Sequence, residues 1–251
     1  MTQTRIQRPI NKPEPKNTPV TVVSLGRYPD LFEGLHQNIK FYGEEEYTRV
    51  FVRDGVLIDY SPAWKLVDGP EEFSYAKNLN VGLRMVDPDH DVFVICDDVR
   101  LTGAHSIETL RKIANSDDRI GMLSPWVNGA ADNPDQTTNR GSLVFSNRYL
   151  AMACFYLKRK VINAIGYLDE EVFSGGYGWD DVDYCRRIHD AGFKLAVTYD
   201  VKVKHGIRKN GNGTESYLRN ARGYDSVLKA QIENNEKLYA QKWHDNKKQD
   251  W

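Results

Sequence analysis

Residues 91–96 make a near-continuous apolar run, Asp91-Val92-Phe93-Val94-Ile95-Cys96, that stops at Asp97 and Asp98. A strand that is apolar at successive rather than alternate positions is covered on both faces, so it belongs inside a sheet held between two layers. Its far end carries two adjacent carboxylates. Like charges placed so close repel and lose hydration, which a plain fold avoids unless a cation or a proton is handled there. The bland alternative is that Asp97 and Asp98 cap the next turn.

The surrounding chain alternates in the way such a sheet needs. Residues 20–25 are a short β-branched run, the Gly26 to Pro29 segment turns, and Leu31, Leu35 and Ile39 recur at helical spacing. Residues 48–52 form a second strand that ends at Arg53-Asp54-Gly55, and residues 75–85 form a helix with Ala76, Leu79 and Leu83 on one side. After the 91–96 strand come a helix over 106–114 and a strand over 120–124. Residues 128–141 are polar and bear Gly, Asn and Asp, which suits a mobile loop. A strand over 149–157, a helix over 160–165 ending at Gly166, a helix over 181–191 stopped by Gly192, and strands over 194–199 and 201–204 follow, leading to His205. Residues 217–243 read as a polar amphipathic helix. This order argues for an α/β domain with a mostly parallel central sheet. Ligands bind such sheets at the carboxyl ends of the strands, which places Ser24, Leu25, Arg27, Asp54, Asp97 and Asp98 along one edge.

Composition bounds the rest. The 251 residues are 40% hydrophobic and 27% charged, enough for one core with a short appendage, and the net charge of −1 offers no basic field for a nucleic-acid backbone. Residues 1–18, with Pro9, Pro13 and Pro15 among charges, read as a disordered leader, residues 19–215 as the domain, and residues 216–251 as a helical extension. Three widely spaced cysteines with no CxxC pair read as reduced thiols of a cytoplasmic protein. No stretch reaches the ~20 apolar residues of a membrane helix. Lys237, Lys242, Lys247 and Lys248 among Trp243 and Trp251 leave the extension open to two readings, a helix packed on the domain or a contact for a membrane surface or a second copy of the chain.

A second acidic group follows a flexible aromatic turn, Gly175-Gly176-Tyr177-Gly178-Trp179-Asp180-Asp181-Val182-Asp183. A helix N-terminus there favours ionised carboxylates through its dipole. Asp183 reads as a first-turn charge, while Asp180 or Asp181, beside the aromatic wall, suits an acceptor ligand and general base. Tyr177 and Trp179 either stack on a sugar face or pack into the core. His205, alone at a strand end, is structural or completes a carboxylate metal site.

Together these blocks resemble the family 2 glycosyltransferases, which have the GT-A (Rossmann-like) fold. The resemblance spans residues 20–206. It rests on the opening strand and loop, the strand ending at Asp54, the Ala76-Lys77-Asn78 segment, the block over 93–101 similar to a DXD motif, the Gly166-Tyr167-Leu168-Asp169-Glu170 turn, the Trp179-Asp180-Asp181-Val182-Asp183 block, and His205. It implies a mixed, mostly parallel sheet flanked by helices with a C-terminal helical extension. It also implies an inverting, hexosyltransferase-type enzyme of glycan biosynthesis, dependent on Mn2+ or Mg2+. That enzyme moves a sugar from a nucleoside-diphosphate sugar, UDP by default, to a hydroxyl of a glycan, lipid-linked or other acceptor.

By the same resemblance Asp181 is the catalytic base, and Asp180, Trp179 and Tyr177 bind acceptor. Ser24, Leu25, Arg27, Asp54, Lys77, Asn78 and Asp97 bind the nucleotide sugar, and Asp98 with His205 binds the metal. The pattern departs at Cys96, where the first Asp of the motif usually stands, and at Lys77 in place of Arg. Two other readings stay open: a sugar nucleotidyltransferase, disfavoured because Ser24-Leu25-Gly26-Arg27 lacks a Gly-rich, Lys-bearing loop for a triphosphate, and a non-catalytic carbohydrate-binding protein with a decayed transferase fold.

Overall fold

The computed structural model describes residues 18–44, 46–55, 58, 61–129, 131, 133–176, 178–206 and 215–244, with residues 215–228 described by backbone only. Residues 1–17 of the expected leader and Tyr177 lie outside the described residues, as do residues 207–214 and 245–251.

In chain order the elements are β1 (Val20–Gly26), α1 (Pro29–Phe41), β2 (Thr48–Arg53), β3 (Lys65–Asp68), α2 (Tyr75–Arg84), β4 (Asp91–Ile95), β5 (Val99–Leu101), α3 (Ser106–Ser116), β6 (Ile120–Asn128), α4 (Pro134–Thr137), β7 (Leu143–Ser146), β8 (Cys154–Leu157), α5 (Arg159–Ile165), α6 (Asp180–Asp190), β9 (Lys194–His205) and α7 (Glu215–Trp243). The strands form one sheet in the order β3-β2-β1-β4-β8-β6-β9-β5, with β7 also pairing β9. Six strands (β1, β2, β3, β4, β6 and β9) share a direction, and β5, β7 and β8 run against it. The sheet is therefore mixed and mostly parallel, as expected.

Both faces are covered, which is why β4 needs apolar residues at every position. Leu79 and Leu83 of α2, Val161 of α5, Val182 and Ile188 of α6 and Tyr239 of α7 pack on one face. Leu35 and Ile39 of α1 with Ile107 and Leu110 of α3 pack on the other. Each of these is buried, worth about 1.5–3 kcal/mol for a Leu or Ile side chain. Pro29 opens α1 at a position where a missing N–H costs nothing. Ser74 caps α2 by accepting the Lys77 N–H at 3.3 Å.

Four expectations need correction. The strand expected over 149–157 is only Cys154–Leu157, because residues 149–151 are held by side chains instead of a ladder: Asn133 donates to the Tyr149 carbonyl at 2.8 Å, and Gln136 accepts the Ala151 N–H at 2.8 Å. Those two bonds also anchor the segment expected to be a mobile loop, since Asn133 and Gln136 are buried at the start and middle of its turn of helix. The strands expected over 194–199 and 201–204 are one strand, β9. Its register against β6 jumps between Pro125↔Thr198 and Trp126↔Lys202, so the bulge absorbs Tyr199, Asp200 and Val201 without breaking the pairing. Finally, β3, β5 and β7 were not expected; they are 4, 3 and 4 residues long, too short to show a period.

The extension is a packed element. Tyr239 of α7 is fully buried, and no helix among the described residues is long and apolar enough to cross a membrane. The three cysteines are unpaired.

Candidate active site

The carboxyl ends of β1, β2 and β4 bring the first group of expected site residues together. The Asp54 N–H donates to the Gly26 carbonyl at 2.9 Å, and the Asp97 N–H donates to the Leu25 carbonyl at 3.2 Å, so three strand ends are stitched at one level. Arg27 reaches across to Asp54, with Nε at 2.9 Å and the terminal nitrogen at 2.8 Å from Oδ2, while its guanidinium lies 5.3 Å from the Phe73 ring centre. Burial raises the Asp54 carboxyl above the usual range and the Arg27 charge opposes that. The Arg27 N–H also donates to Asp97 Oδ2 at 3.2 Å. Gly26 lies against the Asp97 side chain so closely that any Cβ there would collide with it.

Two buried polar side chains at this edge make no hydrogen bond among the described residues. Ser24 Oγ and both amide atoms of Asn78 are buried with no hydrogen bond among the described residues. Asn78 lies near enough to Asp54 to favour its charged form, yet without hydrogen-bond geometry. A buried amide without partners costs ~1–3 kcal/mol, which a fold tolerates where a ligand repays it. Lys77 stands one position away in the first turn of α2, and its charge favours ionisation of Glu170.

Beyond β4 the chain turns through Asp97 and Asp98 into β5, whose Val99 pairs with His205 at the end of β9. This ladder sets His205 Nε2 3.6 Å from Asp98 Oδ1, with side-chain exposures of 15% and 6%. The Gly206 N–H closes the turn on the Asp98 carbonyl at 3.1 Å. Among the described residues no three or more His, Cys, Asp or Glu side chains gather into a closed metal cage. A carboxylate oxygen and an imidazole nitrogen fit an open site instead, in which a hard divalent cation takes its remaining ligands from a diphosphate and water.

The second acidic group sits at the start of α6. Trp179, the residue before the helix, adopts a left-handed φ of 69°. Asp180 is 3% exposed and accepts the N–H groups of Gly178 and Asp181 at 3.0 and 3.1 Å. Burial first, and the Asp181 charge second, push its carboxyl up to about 8 despite those bonds. Asp181 is half-buried, with Oδ1 2.9 Å from the Val182 N–H.

Trp179 packs in the core, 4% exposed, its ring 5.0 Å from that of Tyr239. Asp183 is fully buried and does more than charge a first turn: it accepts Arg187 Nε at 2.9 Å, Lys242 Nζ at 2.7 Å and Trp243 Nε1 at 2.9 Å.

Tyr75 had no sequence signal. Its hydroxyl donates to the Met152 carbonyl, and its phenol is buried within electrostatic reach of Cys96, Asp180 and Asp181. Arg100 was also missed. Its guanidinium donates to the carbonyls of Asp97 at 2.5 Å, Val99 at 2.8 Å and Leu31 at 3.0 Å, tying the Asp97-Asp98 turn to α1.

With this geometry in hand, solved structures were compared. GalNAc-T7 with UDP, GalNAc and Mn2+ superimposes with a TM-score of 0.63 at 12% identity, covering 90% of this chain and 51% of that one. The chain has the GT-A fold. A mannosyltransferase from Pyrobaculum calidifontis with GDP-Man and Mn2+ gives a TM-score of 0.60 at 17% identity, covering 91% and 74%. Glucosyl-3-phosphoglycerate synthase from Mycobacterium tuberculosis, with Mn2+, UDP and phosphoglyceric acid, gives 0.54 at 12%, covering 87% and 78%. The chain spans about half the length of GalNAc-T7. No family model and no curated protein matches the sequence.

Proposed function

We propose that the protein is a metal-dependent glycosyltransferase of the family 2 type that moves a sugar from a nucleoside-diphosphate sugar to an acceptor hydroxyl with inversion. The observation that carries the proposal is the Asp98–His205 pair, 3.6 Å apart at the strand edge where the Ser24 hydroxyl and the Asn78 amide make no hydrogen bond among the described residues. The GT-A neighbours hold UDP or GDP compounds with Mn2+.

In this reading Arg27, Asp54 and Asn78 hold the nucleoside, and Gly26 lets Asp97 press against the loop beneath the diphosphate. Lys77 adds a cation on the same side. When bound at Asp98 and His205, Mn2+ or Mg2+ supplies positive charge beside the leaving diphosphate, an effect worth several kcal/mol. Asp181 takes the acceptor proton as the hydroxyl oxygen attacks the anomeric carbon from the face opposite the leaving group. Asp180, whose buried carboxyl is pushed up to about 8, stands beside Asp181 on the acceptor side.

The test is turnover of UDP- and GDP-sugars with Mn2+ by the native enzyme and by Asp181→Asn. The expected result is release of nucleoside diphosphate that the variant loses, with its nucleotide-induced thermal stabilisation intact. A fully active Asp181→Asn would overturn the assignment.

A further inference from the structure

The turn carrying Asp180 and Asp181 has few supports of its own. Gly176, Gly178 and Trp179 all have left-handed backbones, at φ 66°, 93° and 69°. Glycine loses more conformational freedom on ordering than any other residue, and a non-glycine residue at positive φ adds strain. Among the described residues the main body contributes one β-bridge, between Ser74 and Gly176, in which the Tyr75 N–H donates to the Gly176 carbonyl at 2.8 Å and the Gly176 N–H to the Phe73 carbonyl at 3.0 Å.

The other support comes from α7. Asn235 is 2% exposed, and its amide nitrogen donates to the carbonyls of both Gly175 and Gly178 at 3.2 Å. One side chain therefore closes the two ends of the glycine turn. The glycines lie directly on the helix: a Cβ on Gly176 would stand 2.7 Å from Gln231 Oε1, and one on Gly178 3.6 Å from Ile232. Tyr239, a turn further along, lies against Trp179 with the two rings tilted at 40° and their centres 5.0 Å apart. Gln231, Ile232, Asn235 and Tyr239 recur at helical spacing and share one face of α7.

We propose that Asn235 is a positioning residue, which holds the glycine turn so that Asp181 keeps its place relative to the Asp98–His205 site. The inference rests on the proposed function for its kinetic consequence and on geometry alone for the turn. Its logic is that a misplacement of ~1 Å costs a reaction as much as a hundredfold, so an amide that fixes a soft turn acts on rate more than on binding.

The test compares Asn235→Ala and the isosteric Asn235→Asp, which leaves no cavity but turns carboxylate oxygens toward two carbonyls, with Ile107→Val in the layer across the sheet. Two quantities are read at a temperature where all variants are folded: amide hydrogen exchange over residues 175–181, and single-turnover release of nucleoside diphosphate from the UDP- or GDP-sugar that the native enzyme uses with Mn2+. Both Asn235 variants should exchange faster over the turn and lose about tenfold or more in rate, with the KM for the donor within about twofold of native. Ile107→Val should show neither change. Unchanged exchange in the Asn235 variants overturns the proposal, and so does faster exchange with a native rate. If the native enzyme turns over no nucleotide sugar, the proposed function fails, and the exchange measurement still decides whether Asn235 holds the turn.

Discussion

His205 Nε2 stands 3.6 Å from Asp98 Oδ1 because Val99 and His205 are opposite partners in the short antiparallel β5–β9 ladder. The ladder needs β9 to continue past Thr198, and the bulge at residues 199–201 permits it: the first half of β9 pairs with β7, the second with β5. The pair is thus a product of topology, assembled from the end of β4 and the last residue of β9.

Removing either member should abolish metal dependence. Asp98→Asn and His205→Ala are each expected to lower turnover about a hundredfold or more, the scale of losing one charge-stabilising group. Chelation of the native enzyme should do the same, reversed by Mn2+. The check is nucleoside diphosphate release against Mn2+ concentration; native-like metal dependence in both variants would separate the pair from the metal.

The Asp180 carboxyl sets a pH dependence of stability. Burial and the neighbouring Asp181 raise it to about 8, so the folded chain binds its proton more tightly than the unfolded chain does, whose carboxyl titrates near 4. The stability tied to that proton is complete below pH ~4 and is lost as pH rises through 8, where two adjacent anions must share the turn. Between pH 6 and 9 the Tm should fall by roughly 5 °C, and Asp180→Asn should flatten that slope. Scanning calorimetry across this range decides it; equal slopes in both proteins would contradict the protonated assignment.

How much of this was legible depends on the kind of signal each element sends. Strand β4 announces itself because burial on both faces demands an unbroken apolar run, β1 because β-branched residues crowd it, α1 and α2 because one apolar stripe repeats, and α6 because acids open it and Gly192 stops it. Strands β3, β5 and β7 do not, since 3 or 4 residues show no period and are placed by their neighbours. The identities of Asp54, Asp98 and Asp181 as candidates came from position at strand or helix ends. What polar residues do after folding was not readable: Asp183 looked like any first-turn acid and Asn235 like any polar position of a helix, yet both are bonded inside the fold, Asp183 with Lys242 as one of its partners.

Asp183 should matter for stability more than for chemistry. Its carboxylate receives Arg187, Lys242 and Trp243, but Lys242 is 25% exposed and keeps Asp169 at 2.7 Å, so the penalty of removing one partner is moderated. Asp183→Asn is expected to cost about 2–3 kcal/mol, measured by urea unfolding, with Mn2+-dependent nucleotide affinity unchanged in the folded fraction. A neutral effect on stability would mean that α7 is not anchored there.

Asn78 should behave in the opposite way. Replacing its amide, which makes no hydrogen bond among the described residues, with the similarly branched leucine in Asn78→Leu removes an unsatisfied group, so ligand-free stability should hold or rise by about 1 kcal/mol. The stabilisation conferred by UDP or GDP with Mn2+ should fall, because stabilisation follows affinity by mass action. Thermal shifts with and without nucleotide separate the two effects; undiminished nucleotide stabilisation would remove Asn78 from the nucleoside site.

The most direct measurement is phosphorus NMR of the native protein incubated with UDP- and GDP-sugars and Mn2+, alongside Asp98→Asn and Asp181→Asn. The account predicts a nucleoside diphosphate signal from at least one donor, lost on chelation and in both variants. Turnover that persists in both variants, pyrophosphate as the product with a nucleoside triphosphate and sugar phosphate, or no donor turned over at all would contradict it.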